Sequence, residues 1–321
     1  VDRTMANDKK VNEGVKRMKV AVLGAGAMGS LYGARLSRTQ DVTMVDVNDA
    51  LIEQINQNGI VVQEADGTET VCQLKAVKSG TDIGVQDLVI VFVKGIFTKD
   101  TVQQNLSLIG ENTLVLTLQN GAGNNRDIAK FVSKDNILVG TTSHNCVVKG
   151  LGVIYHSGQG PTNIGPDVQT PDNTMKAKIA GEILKQADFE TYVLDDIQVI
   201  LWKKLFVNCA VNALSMVTGK HLGELSSDPD LWAICTDVIQ ECVKVAEADG
   251  TSIAMDLALE TVKEVCENNP LGYASMYQDY VNHRKTEIDR INGAIAELAD
   301  EYGIPVPCNK MLIRLVHAME G

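Results

Sequence analysis

Short apolar runs alternate with helix-periodic stretches along the first two-thirds of the chain, and beyond about residue 195 only the helical period remains. Residues 19–23 (KVAVL) are a β-branched run that turns at glycines, and 27–38 has a helical composition. A second strand is expected at 42–45 (VTMV) and a second helix at 51–58. Residues 60–63 and 70–77 read as a polar antiparallel insertion around the Asp66-Gly67 turn. Residues 87–93 (DLVIVFV) and 113–118 (TLVLTL) are unbroken apolar runs, as strands covered on both faces require, and 137–139 continues the set. Residues 153–165 (VIYHSGQGPTNIG) read as a hairpin with a Gly-rich turn, 171–187 as a helix and 189–194 as a last strand. Strand, helix, strand in succession predicts a parallel sheet wound on both sides. Long helices are then expected at 198–218, 230–249, 256–268, 275–302 and 309–319, with a domain boundary near Asp195.

The run Gly24-Ala25-Gly26-Ala27-Met28-Gly29 follows the first strand directly and opens the first helix. In that setting GxGxxG permits a tight turn, lets backbone N–H groups approach a pyrophosphate, and presents a helix N-terminus to its charge. The fold class is therefore α/β: an N-terminal Rossmann-type doubly wound sheet that binds a dinucleotide (18–195), followed by an all-helical substrate and catalytic domain (196–321). Asp46, after the second strand, can accept hydrogen bonds from an adenosine ribose diol and would repel a 2′-phosphate. The local sequence DVNDA holds no arginine, so NAD(H) is favoured over NADP(H); the plainer alternative is that Asp46 or Asp49 caps the next helix. Lys94 and Gln119-Asn120-Gly121 end the third and fourth apolar runs, Thr141 and Thr142 the next. Ligands on open α/β sheets bind at those ends, so Lys94 and Asn120 overlook the cofactor crevice, although Asn120 before a glycine could equally be a turn residue.

Within the helical half, LWKKLFVNCAVN places Lys204, Asn208 and Asn212 four residues apart. That spacing drifts only ~40° per step, so the three polar groups share one stripe of an otherwise apolar helix. Snorkelling would be the ordinary explanation of such a lysine; a proton donor facing a substrate is the functional one. Ser275 with Gln278 fits a capping box, and a helix N-terminus there could also receive a carboxylate. Glu287 could belong to a solvated ion-pair face with Arg284 and Arg290. The five histidines, His144, His156, His221, His283 and His317, show no metal-like spacing, and none is assigned to catalysis.

Composition narrows the classes. At net charge −12 the chain is unsuited to a nucleic-acid or anionic-membrane surface, and it has no run of 18 apolar residues. Seven cysteines without CxxC spacing fit reduced thiols of a cytoplasmic protein better than disulfides or zinc. The first 17 residues, VDRTMANDKKVNEGVKR, are polar and have no apolar centre; they read as a vector-derived leader before a native start at Met18. Long helices in the second half could pair across a two-fold axis, so a homodimer is open.

Taken together, GAGAMGSLYGARL, LQNGAGN, GTTSHN, HSGQGPTNIG, LWKKLFVNCAVNALSMVTG and SMYQDYVNHRKTEIDRING resemble the ketopantoate reductase family. The blocks run in family order from Lys19 past Gly293. The resemblance implies a Rossmann domain binding a nicotinamide cofactor and reduction of 2-dehydropantoate to D-pantoate. Some relatives instead make other D-2-hydroxy acids, such as D-mandelate, from 2-oxo acids. It further implies Lys204 as general acid, Asn208 and Asn212 as substrate partners, and Ser275 as the carboxylate contact. Glu287 would pair with the reacting centre or the lysine, and Asn120 would hold the nicotinamide ribose and Lys204. Two departures stand out: Asp46-Val47 where well-known members carry an arginine, and NNPLGYA before Ser275 in place of the family's asparagine-serine-serine. The first favours NAD, and the second leaves the substrate side chain open. A non-catalytic NAD(H) sensor is the rival of another class; it would have no use for a proton donor at Lys204.

Overall fold

The computed structural model describes residues 17–321; the leader expected at 1–17 lies outside them except for Arg17. The chain runs β1 (Lys19–Leu23), α1 (Ala27–Leu36), β2 (Asp41–Val45), α2 (Asp49–Asn58), β3 (Ile60–Glu64), β4 (Glu69–Cys72), β5 (Lys75–Val77), β6 (Leu88–Val91), α3 (Thr98–Gln104), β7 (Leu114–Thr117), α4 (Asn124–Ile128), β8 (Ile137–Thr142), β9 (Asn145–Gly150), β10 (Val153–Gly158), β11 (Thr162–Pro166), α5 (Pro171–Gln186) and β12 (Thr191–Val193). Helices follow: α6 (Gln198–Thr218), α7 (Leu222–Ser227), α8 (Pro229–Ala248), α9 (Met255–Asn268), α10 (Ser275–Val281), α11 (Asn292–Tyr302) and α12 (Pro307–Glu320).

The main sheet has the order β12-β11-β8-β7-β6-β1-β2-β5. Its strands from β5 to β8 are mutually parallel, while β11 runs antiparallel to β8. The apolar runs explain its centre: β1, β6 and β7 are buried along almost their whole length, because helices cover both faces. Two apolar clusters fill those faces and a third fills the helical half. The third is built around α6, which packs on α8, α9, α10 and α12. With 21 residues α6 is long and apolar enough to cross a bilayer, yet 61% of its most apolar window is buried inside the protein. It is the core helix of the second half.

Three expectations are corrected. Residues 70–77 do not form one strand: β4 pairs antiparallel with β3, and after a break β5 joins the main sheet beside β2. Residues 153–165 are not a hairpin. Both β8–β9 and β10–β11 cross from one sheet to the other at the same place, so β11 pairs with β8 in the main sheet while β10 pairs with β9 and β3 in a four-stranded sheet. The actual hairpin turn is Leu151-Gly152, where the positive φ, +69°, falls on Gly152 alone and the register shifts beside it between Val153 and Ile154, a bulged turn rather than a primed one. At the crossing Gly160 lies so close to Ser143 that a Cβ there would sit 2.7 Å from the serine Cβ.

Residues 275–302 are not one helix either. α10 ends at Val281, His283 adopts φ +55°, and α11 starts only at Asn292. The polar run 282–285 is exposed and has no core to bury. Thr286 N–H is instead held by the Glu320 carboxylate of α12 at 2.7 Å.

Candidate active site

The Gly-rich loop is shaped by close approaches. Gly24 has φ +97° and donates to Val45 O at 2.8 Å, and a Cβ on Gly29 would stand 1.9 Å from Gly24 O. Gly26, by contrast, would meet nothing within 4 Å. The loop is thus packed against the sheet on one side and open on the side facing the α1 N-terminus, where backbone N–H groups await an anion. That open cradle, from Gly24 and Ala25 through Gly26, Ala27 and Met28 to Gly29, fits the pyrophosphate of a dinucleotide.

Asp46 is neither free nor a helix cap. Its Oδ2 accepts from Ala25 N–H at 2.7 Å and its Oδ1 from Asn48 N–H at 3.0 Å. The cap of α2 is Asn48, which accepts from Leu51 N–H, and Asp49 pairs with Lys78. A cavity of ≈ 340 Å³ lies between this carboxylate and the β9–β10 hairpin; among the described residues Asp46 is the one charged side chain in its wall.

A second cavity, ≈ 420 Å³, opens beside it between the two halves of the chain. Its wall brings Gly26–Met28, Lys94, Asn120, Thr142, Ser275 and Glu287 together. Lys94 Nζ crosses to the helical half, donating to Lys285 O at 2.6 Å and to the Asp279 carboxylate at 3.3 Å. The Asn120 amide lies close enough to the Glu287 carboxylate to favour its charged form. Ser275 is exposed at the first turn of α10 but does not cap it: Ala274 is the N-cap, and Gln278 bonds Tyr273 O instead of closing a box.

Lys204 reaches from α6 to the end of β8, its Nζ donating to Thr142 O at 3.1 Å. Burial lowers its pKa to about 8, and the Glu287 carboxylate holds it from falling further. Glu287 is pushed above the usual carboxylate value by its own burial, against the pull of the Lys94 ammonium and the Asn120 amide. The solvated ion-pair face imagined for Glu287 is therefore absent; it turns inward. Asn208 and Asn212 continue the Lys204 stripe along α6; none of the three lines the cleft itself, which Lys204 meets through Thr142, and Asn212 is buried. Burial makes the Lys204 ammonium a stronger acid and the Glu287 carboxyl a weaker one, and the Glu287 charge acts on Lys204 beside an open dinucleotide cradle. Such a pair can stabilise an oxyanion and give it a proton.

Sequence reasoning passed over two residues of the wall. Asp279 lies one turn after Ser275 on α10, a spacing that could have pointed to it. His144 carried no signal, because its partners come from other elements. Its Nδ1 is 2.9 Å from His156 Nε2, His156 Nδ1 is 2.6 Å from the Glu64 carboxylate, and Glu64 is paired with Arg35 at 2.9 Å. Burial, with the His156 ring and Arg35 adding to it, lowers the His144 pKa to about 4. Its Nε2 is buried without a partner, which a lone pair tolerates better than an N–H would. Among the described residues no group of His, Cys, Asp and Glu could hold a metal ion.

The comparisons with known proteins agree on one family. The family described as "Ketopantoate reductase PanE/ApbA" matches residues 20–169, and its C-terminal counterpart matches 196–320. A 2-dehydropantoate 2-reductase of Streptococcus pyogenes serotype M3 is 32% identical over 306 residues, 95% of this chain and 98% of the relative. One from Halobacterium salinarum is 31% identical over 300 residues, 93% of this chain and 98% of the relative. Among solved structures, D-mandelate dehydrogenase with NADH and anilino(oxo)acetate superimposes with TM-score 0.87 at 30% identity, covering 94% of this chain and 98% of that one. A ketopantoate reductase from Ralstonia eutropha does so with TM-score 0.84, again at 30% identity, covering 94% and 98%.

Proposed function

The chain belongs to the ketopantoate reductase family, and from that premise we propose that it reduces a 2-oxo acid to the D-2-hydroxy acid with NADH, 2-dehydropantoate being the first candidate substrate. The observation that carries this reading is the Lys204 ammonium, its pKa lowered to about 8, bonded to the cleft residue Thr142 and within the field of Glu287. In this reading residues 18–195 hold the dinucleotide and residues 196–321 supply the acid.

The Gly24–Gly29 loop would hold the pyrophosphate, Asp46 the adenosine ribose, and Lys94 and Asn120 the nicotinamide half. When bound, the reduced dinucleotide supplies the hydride. The chain's own part is electrostatic and positional. As the carbonyl carbon is reduced its oxygen becomes negative; the ammonium at Lys204 stabilises that charge and donates the proton. Glu287 keeps Lys204 protonated near neutral pH. Ser275, exposed at the start of α10, can meet the substrate carboxylate in the field of the helix N-terminus. What supports Asn208 and Asn212 as substrate partners is their place on the Lys204 stripe.

NADH is preferred in this proposal because the cavity beside Asp46 offers a 2′-phosphate a carboxylate and, among the described residues, no cation. The same feature, with the likeness to D-mandelate dehydrogenase, supports a second reading: a D-2-hydroxyacid dehydrogenase for a bulkier side chain. Absorbance of NADH and NADPH followed with 2-dehydropantoate, 2-oxoisovalerate and benzoylformate tests both. Fastest turnover of 2-dehydropantoate supports the first and of benzoylformate the second. No turnover of any 2-oxo acid would favour the NAD(H) sensor.

A further inference from the structure

The two halves of the chain meet where one side chain is seated in a socket of glycines. Arg290 closes the short 3₁₀ turn Ile288–Arg290, in which the N–H groups of Arg290 and Ile291 both donate to Glu287 O, at 2.9 and 3.1 Å. Glu287 and Arg290 are therefore parts of one tight, hydrogen-bonded turn. Its far end is fastened to the strand-end loops of the main sheet. Arg290 O accepts from Ala122 N–H at 2.9 Å. A Cβ on Gly121 would stand 2.1 Å from that same oxygen, and one on Gly95 would stand 2.8 Å from Arg290 Cγ.

The guanidinium continues past Gly123 to Asp127, with Nη2 2.8 Å from Oδ2 and side-chain exposures of 21% and 10%. The approach is ionic, since Oδ2 has no hydrogen bond in line. The near end of the turn carries the Glu287 carboxylate toward the same strand-end loops, where the Asn120 amide and the Gly95 N–H both favour its charged form.

We infer that Arg290 is a positioning residue: its seat among Gly95, Gly121 and Asp127 sets where the Glu287 carboxylate stands relative to Lys204. The inference rests on the reading of Lys204 and Glu287 as the reacting pair. An unpinned turn would let Glu287 swing toward water. Lys204 would then lose the one carboxylate that holds up its basicity, while the Gly-rich loop that receives the cofactor stays as it is. The other charged groups of the cleft wall, Lys94, Asp279 and Arg284, are already paired with one another and with Lys285 O, so none replaces Glu287.

The test uses the full chain as Arg290→Ala, Arg290→Lys, Asp127→Asn and Lys204→Ala, each checked for native circular dichroism. Two quantities are read: steady-state constants, and the Lys204 pKa by NMR of 13Cε-labelled lysine, assigned by its loss in Lys204→Ala. Arg290→Ala is expected to lower kcat ~10–100-fold, the usual scale for a reacting group displaced by about 1 Å, with KM for NADH changed less than ~3-fold. The Lys204 pKa should fall by about one unit as its carboxylate partner withdraws. Arg290→Lys, which keeps the charge facing Asp127, should recover part of both. Should Arg290→Ala not fold, Asp127→Asn is read in its place for the same two changes. An unmoved Lys204 pKa in the folded variant overturns the inference, whatever kcat does. A lowered pKa with full turnover in Lys204→Ala would keep the positioning role and remove the reading of the reacting pair.

Discussion

Lys204 pays a desolvation cost that an apolar helix would not impose without return, and its effect on rate is the sharpest consequence at the level of single residues. Lys204→Ala should lower kcat by ~10²–10⁴, the range for losing a general acid, and leave the KM for NADH nearly unchanged; stopped-flow and steady-state traces with the best substrate check this. In the proposed role the active form is the ammonium, whose pKa burial lowers to about 8. The rate of reduction should therefore hold at neutral pH and decline as pH rises through 8. Glu287→Gln removes the charge that raises that pKa, so the decline should begin at lower pH. Asp46 makes a second residue-level test. In the proposed role Asp46→Ala removes the repulsion of a 2′-phosphate together with the acceptor of Ala25 N–H; the ratio of kcat/KM for NADH over NADPH should narrow, while the absolute rate with NADH falls. A wild-type preference for NADPH would refute the role given to Asp46.

Among the elements, α12 depends on a group far from the cleft. Glu241 of α8 is buried, and its two oxygens take the N–H groups of Cys308 and Asn309 and the Asn309 side-chain amide, at 2.8–3.0 Å. Glu241→Leu would leave those donors without partners, at about 1–3 kcal/mol for each buried group. A fall in melting temperature with kcat preserved in the surviving folded fraction is expected, and an unchanged melt would contradict it. Periodicity made α6, α8, α9 and α12 readable to within a residue or two, because each has one continuous apolar face. It failed for 275–302, where helical composition continues through a segment that bends into the cleft. The anchors that stop the helix, Glu320 on Thr286 N–H and Ala122 on Arg290 O, come from elsewhere in the chain.

Across the whole molecule, the two sheets are joined by a buried polar chain: His144 and His156 from the crossing strands, Glu64 from β3 and Arg35 from α1. Burial brings the His144 imidazole down to a pKa of about 4, against the ordinary histidine value of 6.5. Between those values the unfolded chain binds more protons than the folded one, so stability falls as pH drops from about 6.5 to 4 and is fully present above. The loss is on the order of 3 kcal/mol over the whole window and about 2 kcal/mol between pH 7 and 5, so urea titrations at those two pH values should show about 2 kcal/mol in wild type and much less in His144→Gln. Glu64, whose pKa is lowered by Arg35 and His156 against its own burial, loses its contribution at lower pH still.

The alternation of strands and helices, the Gly-rich loop, the strand-end place of Asp46 and the polar stripe of α6 are legible in the chain itself, since turn chemistry, periodicity and a strand-end position are local properties; the splitting of 70–77, the crossing at 153–165 and the break within 275–302 are not. Nor are the partners of the loop, Asp46 and the stripe. That Asp46 grips the Gly-rich loop, that two strand pairs cross between sheets, that Lys204 lands on Thr142, and that Arg290 seats beside Glu287 depend on segments tens to hundreds of residues apart. Only the folded packing brings them within a few ångströms, where burial and charge can act on one another.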